Sequence, residues 1–314
     1  MKSGLWILIA VLIAGLVVGY VLRDRVKTPT AADEEAELKA ITDLADSEAK
    51  INKLQDFIAD YPASERKSRA YSLIAKEMLE ALKDTTRFVG FARQTIEKET
   101  DSESRALMYY RLYYLKADSK PEEAALIGNE LLKVPPVAGW VYNYMGYDLA
   151  ERGRDLDLAL ALCTKGIEFA EGTRDSAAAM DSRGFAYYQK AMYPEAIADL
   201  EAALNLYGEP DQDVLGHLAN AYLRAGESDK AFTTLRSILL LGEYDEARAA
   251  VDSIVTASKW TARKRQQFED ALWQERLASA KPAIAFAMPT LAGETFSFDP
   301  AKGEIVIINF MSPT

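Results

Sequence analysis

Three stretches in the middle of the chain align with one another, and this repetition constrains the fold more than any other feature. The stretches cover residues 139–171, 177–208 and 212–241. Small residues recur at matching positions, first Gly146, Gly184 and Ala219, and then Ala159, Ala196 and Ala231. The two small positions lie 13 residues apart in the first copy and 12 in the other two. Because two helices approach closely only where the facing side chains are small, this spacing predicts repeated helical hairpins.

The repeated pattern resembles the tetratricopeptide repeat (TPR), in which an aromatic residue, Leu-Gly, Tyr, Ala and a second aromatic residue recur over about 34 residues. The third copy matches it with Leu215, Leu218, Ala219, Tyr222, Ala231 and Leu235. Before the repeats, apolar residues spaced three to four apart predict further helices. The resemblance implies a mainly α fold, in which residues 36–278 form a TPR-like α-solenoid whose hairpins bury their apolar faces against their neighbours.

In TPR proteins the first helices of the hairpins line a groove that receives peptides or partner helices. By register, the resemblance assigns seven residues to this groove, namely Asn143, Tyr147, Asp181, Tyr188, Gln189, Asn220 and Arg224. Asn220 coincides with the carboxylate-clamp pattern of the family, but the accompanying lysines are missing, so binding of chaperone tails is not predicted. The alternative for these positions is a merely solvated surface. We expect a protein or peptide partner to bind here.

The chain contains a single cysteine, Cys163, and a single histidine, His217. It therefore cannot form an internal disulfide or a zinc site with the usual cysteine and histidine ligands. We expect Cys163 to be a buried, unreactive thiol and His217 to have a structural role. The net charge of −11 disfavours a nucleic-acid partner. The sequence thus predicts no catalytic residue, no cofactor and no metal.

The N-terminal residues 5–22 form a run of 18 uncharged, mostly apolar residues. As a helix this run would span roughly 27 Å, which is close to the thickness of a lipid bilayer. Charged residues follow it instead of a cleavage site, so we predict an uncleaved transmembrane anchor in residues 1–27. A polar linker at 28–35 follows. The distribution of positive charges slightly favours a cytoplasmic body.

Beyond Pro282 the apolar periodicity changes from helical to alternating. Residues 295–298 alternate, and residues 305–310 are typical of a buried strand. The segment resembles the opening of thioredoxin-like domains of the TlpA/ResA and redoxin (AhpC/TSA) type. The matching residues are Met288, Pro289, Leu291, Gly293, Lys302, Gly303, Asn309 and Phe310. The resemblance implies that residues 279–314 are an incomplete thioredoxin-like domain with a short β segment; the alternative is a chance β-hairpin.

In that family the first redox-active cysteine would come directly after Thr314. We therefore expect no catalysis by the sequence as it stands, and a thiol-disulfide oxidoreductase if the reading frame continues. A nonsense truncation, a frameshift or a selenocysteine codon read as a stop would each explain the end of the sequence. Because such domains work outside the cytoplasmic membrane, the resemblance favours a periplasmic or extracytoplasmic body at the cell membrane. The alternative function is a non-catalytic TPR scaffold for protein-protein interaction.

Overall fold

The computed structural model describes residues 30–242, 244–279, 286–289 and 295–298. Contacts divide the chain into two compact units, residues 1–208 and 209–314. The described part of the first unit contains ten α-helices, which are α1 (Ala31–Thr42), α2 (Ser47–Asp60), α3 (Lys67–Lys76), α4 (Thr85–Lys98), α5 (Ser102–Ala117), α6 (Pro121–Leu131), α7 (Gly139–Glu151), α8 (Leu156–Glu168), α9 (Thr173–Gln189) and α10 (Tyr193–Tyr207). A π-helical turn at Glu77–Ala81 continues α3.

Local capping explains where several of these helices begin. The Asp46 carboxylate accepts a hydrogen bond from the backbone N–H of Ala49 at 2.7 Å at the start of α2. Asp101 accepts in the same way from Ser104 at 2.8 Å at the start of α5. Each such cap contributes about 1 kcal/mol, because it satisfies a backbone donor that has no partner within the helix. Pro121 occupies the first turn of α6, where its missing N–H costs nothing.

The helices of the first unit pack as antiparallel hairpins. Helix α1 pairs with α2, α5 with α6, α7 with α8 and α9 with α10, while the π-helical turn after α3 contacts α4. The first helices of neighbouring hairpins also pack together, α3 with α5, α5 with α7 and α7 with α9. The largest fully buried side chains include Phe57, Phe88, Tyr109, Tyr113 and Tyr142. This arrangement is a TPR-like helical solenoid, as the repeats predict.

The small residues of the repeats lie where the helices of each hairpin touch. A Cβ atom added at Gly146 would lie 2.5 Å from the Cys163 sulfur and 3.0 Å from the Ala159 carbonyl oxygen. A Cβ atom added at Gly184 would lie 2.7 Å from Cγ of Leu200. Real Cβ atoms do not approach other heavy atoms so closely, so only glycine permits these helix contacts. The predicted register of the first two copies is confirmed.

The second unit also begins with a hairpin. Its described helices are α11 (Gln212–Ala225), α12 (Ser228–Leu241), α13 (Asp245–Ala257) and α14 (Ala262–Ser279). Helix α11 pairs with α12, and the small residues Ala219 and Ala231 are fully buried. Two four-residue strands, β1 (Phe286–Pro289) and β2 (Thr295–Phe298), form an antiparallel pair.

The predicted fold class added two parts to the solenoid, a transmembrane helix and the β segment of an incomplete thioredoxin-like domain. Both additions are wrong. Within the residues that the structure describes, no helix is long and apolar enough to cross a membrane. The physical reason is that these helices carry charged residues every few positions, and α14, with 18 residues, has two arginines and a lysine in its first turn. The predicted anchor at 5–22 lies outside the described residues.

The β part of the fold class needs the same correction. In the described part of 279–314, the two short strands pair with each other in a sheet of two strands, and no thioredoxin-like domain is found. Four-residue strands in a lone pair bury too little apolar surface to form a domain of their own. The predicted strand at 305–310 lies outside the described residues.

Candidate protein-binding surface

Four aromatic side chains gather on two neighbouring first helices of the first unit. Tyr110 and Tyr114 lie on α5, and Trp140 and Tyr144 lie on α7. Residues four apart lie on the same face of a helix, so each helix presents one aromatic pair. Because α5 packs beside α7, the two pairs meet. We call these four residues the aromatic cluster.

The rings of the aromatic cluster are in mutual contact and remain partly open to solvent. The Tyr110 ring centroid lies 4.6 Å from that of Tyr114, 5.5 Å from that of Trp140 and 6.0 Å from that of Tyr144. The Trp140 and Tyr144 rings meet edge to face at 6.0 Å. Tyr144 is 53% exposed. Large aromatic side chains in such a position are typical of protein interfaces, because their rings bury much area at a low cost in conformational entropy.

A hydrogen bond fixes the Trp140 ring of the cluster, and a buried hydrogen bond lies next to Tyr114. The Trp140 indole N–H donates to the Glu103 carboxylate, with distances of 2.9 and 3.1 Å to its two oxygens. The Tyr113 ring meets the Tyr114 ring edge to face at 5.2 Å, and the Tyr113 hydroxyl donates to Asp148 at 2.8 Å. Burial, and then the Asp148 carboxylate, raise the pKa of Tyr113. Burial is also the main cause of the raised pKa of Tyr114. These phenols therefore stay protonated at neutral pH and act as donors.

The structure places five of the seven predicted groove residues on two adjacent first helices. Asn143 and Tyr147 lie on α7, and Asp181, Tyr188 and Gln189 lie on α9. The Gln189 side-chain amide donates to a backbone carbonyl of α7 at 3.2 Å. The buried side-chain oxygen of Asn143 has no hydrogen-bond partner in the part of the chain that is described.

A second set of aromatic contacts links these two helices. The Tyr147 ring lies 5.7 Å from that of Phe185, and Phe185 stacks on Tyr188 at 6.2 Å. The remaining two predicted residues, Asn220 and Arg224, lie exposed on α11 of the second unit. Binding of a partner by the seven residues stays a prediction.

Reasoning from the repeat register missed the aromatic cluster. Two of its residues lie on α5, which precedes the clear repeats, so no register assigned them to a groove. A usable signal was present in the sequence, because aromatic residues recur four apart at 110 and 114 and again at 140 and 144. Such spacing usually indicates a buried stripe, and only the packing shows that these rings reach the surface.

Cys163 is fully buried, and burial raises the pKa of its thiol to about 12. The predicted burial is therefore confirmed, and because only the thiolate is a strong nucleophile, we expect this thiol to be unreactive. His217 lies half-buried on α11. In the residues described, no group of three or more His, Cys, Asp or Glu side chains is placed to hold a metal ion.

No protein-family model and no curated protein matches the sequence. Among solved structures, the chain is similar to the crystal structure of the APC/C hetero-tetramer Cut9-Hcn1, with 13% sequence identity and a TM-score of 0.30. The match covers 80% of this chain and 53% of that chain, so this chain spans about half the length of the protein that it matches. The helices and their packing define the class as a TPR-like helical repeat protein.

Proposed function

We propose that the chain is a protein-protein interaction scaffold that binds a peptide or helix of a partner along the first helices of its hairpins. The aromatic cluster carries this proposal. Its rings converge from two helices, the Trp140 indole donates a hydrogen bond to Glu103, and Tyr144 remains half exposed. An aromatic surface that is rigid before binding loses little entropy when a partner docks. The five predicted groove residues on α7 and α9 extend this surface.

The experiment uses a photo-crosslinking amino acid in the full chain, expressed in its native cell. One variant carries it at Tyr144, and a matched control carries it at Leu126, which is 68% exposed on the second helix α6. We expect a discrete crosslinked protein at 144 and none at 126. Equal crosslinking at both positions, or none at 144, would contradict the proposal.

A substitution tests the energetic role of the same residue. Tyr144→Ala removes an exposed ring, so we expect the chain to fold normally and to bind the crosslinked partner about tenfold more weakly or worse. Leu126→Ala removes a similarly exposed apolar side chain outside the surface and should leave binding unchanged. The measurement is the dissociation constant for the partner identified by crosslinking. If Tyr144→Ala binds that partner as the unchanged chain does, the cluster is not its docking surface.

Location at a cell membrane, with the helical body on the periplasmic or extracytoplasmic side, stays a prediction. It rests on the apolar sequence of residues 5–22 and on the thioredoxin-like resemblance at 288–310. A thiol-disulfide oxidoreductase activity rests on that resemblance alone. A topology reporter fused at about residue 280 should read extracytoplasmic, and a cytoplasmic signal would contradict the predicted location.

A further inference from the structure

A pocket of about 240 Å³ is lined by residues of α2, α3 and α4 and shares no residue with the aromatic cluster. Its lining residues are Gln55, Ile58, Tyr71, Phe91, Gln94, Thr95, Lys98 and Glu99. Four of these recur at positions 91, 94, 95 and 98, which is the spacing of one helical face, so α4 turns a single stripe toward the pocket. Ile58 and Gln55 face it from α2, three residues apart.

The base of the pocket is apolar and aromatic. The Tyr71 and Phe91 rings lie 5.8 Å apart at an angle of 44°, and Ile58 completes the apolar wall. The Thr95 hydroxyl donates to the backbone carbonyl of Phe91 at 3.0 Å, so the methyl group is the part of Thr95 that can contact a ligand in the pocket. A flat ring or a branched aliphatic group would bury its surface here.

The carboxylate of Glu99 belongs to the wall but is already fully engaged. It accepts hydrogen bonds from the Lys67 ammonium at 2.8 Å and from the Tyr71 hydroxyl at 3.0 Å. It also accepts from the backbone N–H groups of Thr100 and Asp101 at 2.9 and 3.2 Å. Lys67 compensates the negative charge of Glu99, so this carboxylate does not require a cation in the pocket.

The rim of the pocket carries three exposed polar side chains. Gln55, Gln94 and Lys98 are exposed, and none of them makes a hydrogen bond or ion pair with the rest of the described chain. Lys98 is thus the one uncompensated charge among the lining residues, and the two amides beside it supply further donors. The ligand complementary to this rim carries a negative charge.

We propose that this pocket binds a small carboxylic acid with one aromatic ring or branched aliphatic tail. The tail would lie on Tyr71, Phe91 and Ile58, and the carboxylate would accept from Lys98, Gln55 and Gln94. The volume is below the roughly 300–1,000 Å³ of complete drug-sized sites, so it limits the ligand to about one ring and a short acid. The site is independent of partner binding at the aromatic cluster.

The test uses two fluorinated probes of nearly equal shape, 3-(4-fluorophenyl)propionic acid and its carboxamide. Fluorine NMR line broadening is measured with the full chain. We expect the acid to bind with a dissociation constant of about 2 mM, since about a dozen heavy atoms contribute roughly 0.3 kcal/mol each. The carboxamide should bind about three- to tenfold more weakly, because it lacks the charge-assisted hydrogen bonds. Equal binding of both probes, or no binding of the acid at about 10 mM, would overturn the proposal.

Variants that change the charge of exposed rim residues test whether the acid binds at this pocket. Because these side chains are exposed, the substitutions should not disturb the fold. Gln94→Lys should strengthen binding of the acid, and Gln94→Glu, of the same size as glutamine, should weaken it about fivefold or more. Neither should change binding of the carboxamide much. Lys98→Gln should weaken binding of the acid, whereas Lys133→Gln, at an exposed site outside the pocket, should not. If the variants at 94 and 98 bind the acid like the unchanged chain, the probe binds elsewhere and the assignment is wrong.

Discussion

At the scale of single residues, Glu99 is a largely buried charge with several partners in the described part of the first unit. Its side chain is 11% exposed and that of its partner Lys67 is 9% exposed. Burial alone would raise the pKa of Glu99, but the hydrogen bonds from Lys67, Asp101 and Tyr71 outweigh it and lower the pKa below 4.5. Removing one member of such a pair leaves the other buried and uncompensated, which is the costly outcome.

We therefore predict that Glu99→Gln lowers the free energy of unfolding by about 3 kcal/mol at pH 7. A lowered folded-state pKa means that the carboxylate contributes its full stability above pH 4.5, and that this contribution is lost as pH falls through the folded-state pKa. The difference between the variant and the unchanged chain should therefore shrink below pH 4.5. Urea unfolding followed by circular dichroism at pH 7 and pH 3.5 measures it.

The exposed carboxylate of Glu35 is the matched control for this variant. It also pairs with arginines, Arg66 at 2.9 Å and Arg69 at 2.7 Å, but remains 45% exposed. Glu35→Gln should change stability little, because water solvates these charges when the pair is broken. An equal loss of stability in both variants would mean that the contribution of the Glu99–Lys67 pair to stability does not depend on its burial.

At the scale of elements, the sequence predicts a hairpin well where glycine and alanine fix the contact between its helices. Gly146 and Gly184 are needed because a side chain at either position would overlap the second helix. The π-helical turn at Glu77–Ala81 could not be predicted, because one wider turn leaves no periodic trace. The aromatic cluster could not be predicted for a related reason. The sequence shows which residues share a helix face, but not which neighbouring helix covers that face.

Two glycine-to-alanine substitutions distinguish a glycine that a helix contact requires from one that only lowers helix propensity. Gly184→Ala brings a Cβ atom to 2.7 Å from Leu200, so we predict a loss of about 1–3 kcal/mol in unfolding free energy. Gly90 lies in α4, and beyond its own helix backbone and chain neighbours no atom of the described residues lies within 4 Å of an added Cβ, so Gly90→Ala should gain about 0.5–1 kcal/mol from helix propensity. Thermal and urea unfolding of both variants measure whether each substitution lowers or raises the unfolding free energy. A stabilised Gly184→Ala variant would refute the assigned helix contact.

At the scale of the whole molecule, the first unit is an array in which contacts run mainly between adjacent hairpins. Burial is uneven along it, because α1 buries only Leu38 and Ile41, whereas α7 buries eight of its 13 residues. Stability in such arrays is approximately a sum over repeats and their interfaces, so local opening should begin where few residues are buried.

We predict that hydrogen exchange of the full chain follows this gradient. Amides in the hydrogen-bonded turns of α1 should exchange at least about tenfold faster than those of α7, because opening α1 exposes two buried side chains and opening α7 breaks packing against α5, α8 and α9. Exchange measured by mass spectrometry on peptides covering 31–42 and 139–151 gives the comparison. In the variant Leu38→Ala, exchange should quicken in α1 and α2 and stay unchanged in α7 and α8. If instead all ten described helices of the unit exchanged at one rate in both proteins, the unit would open only as a whole, and the additive description of its hairpins would be wrong.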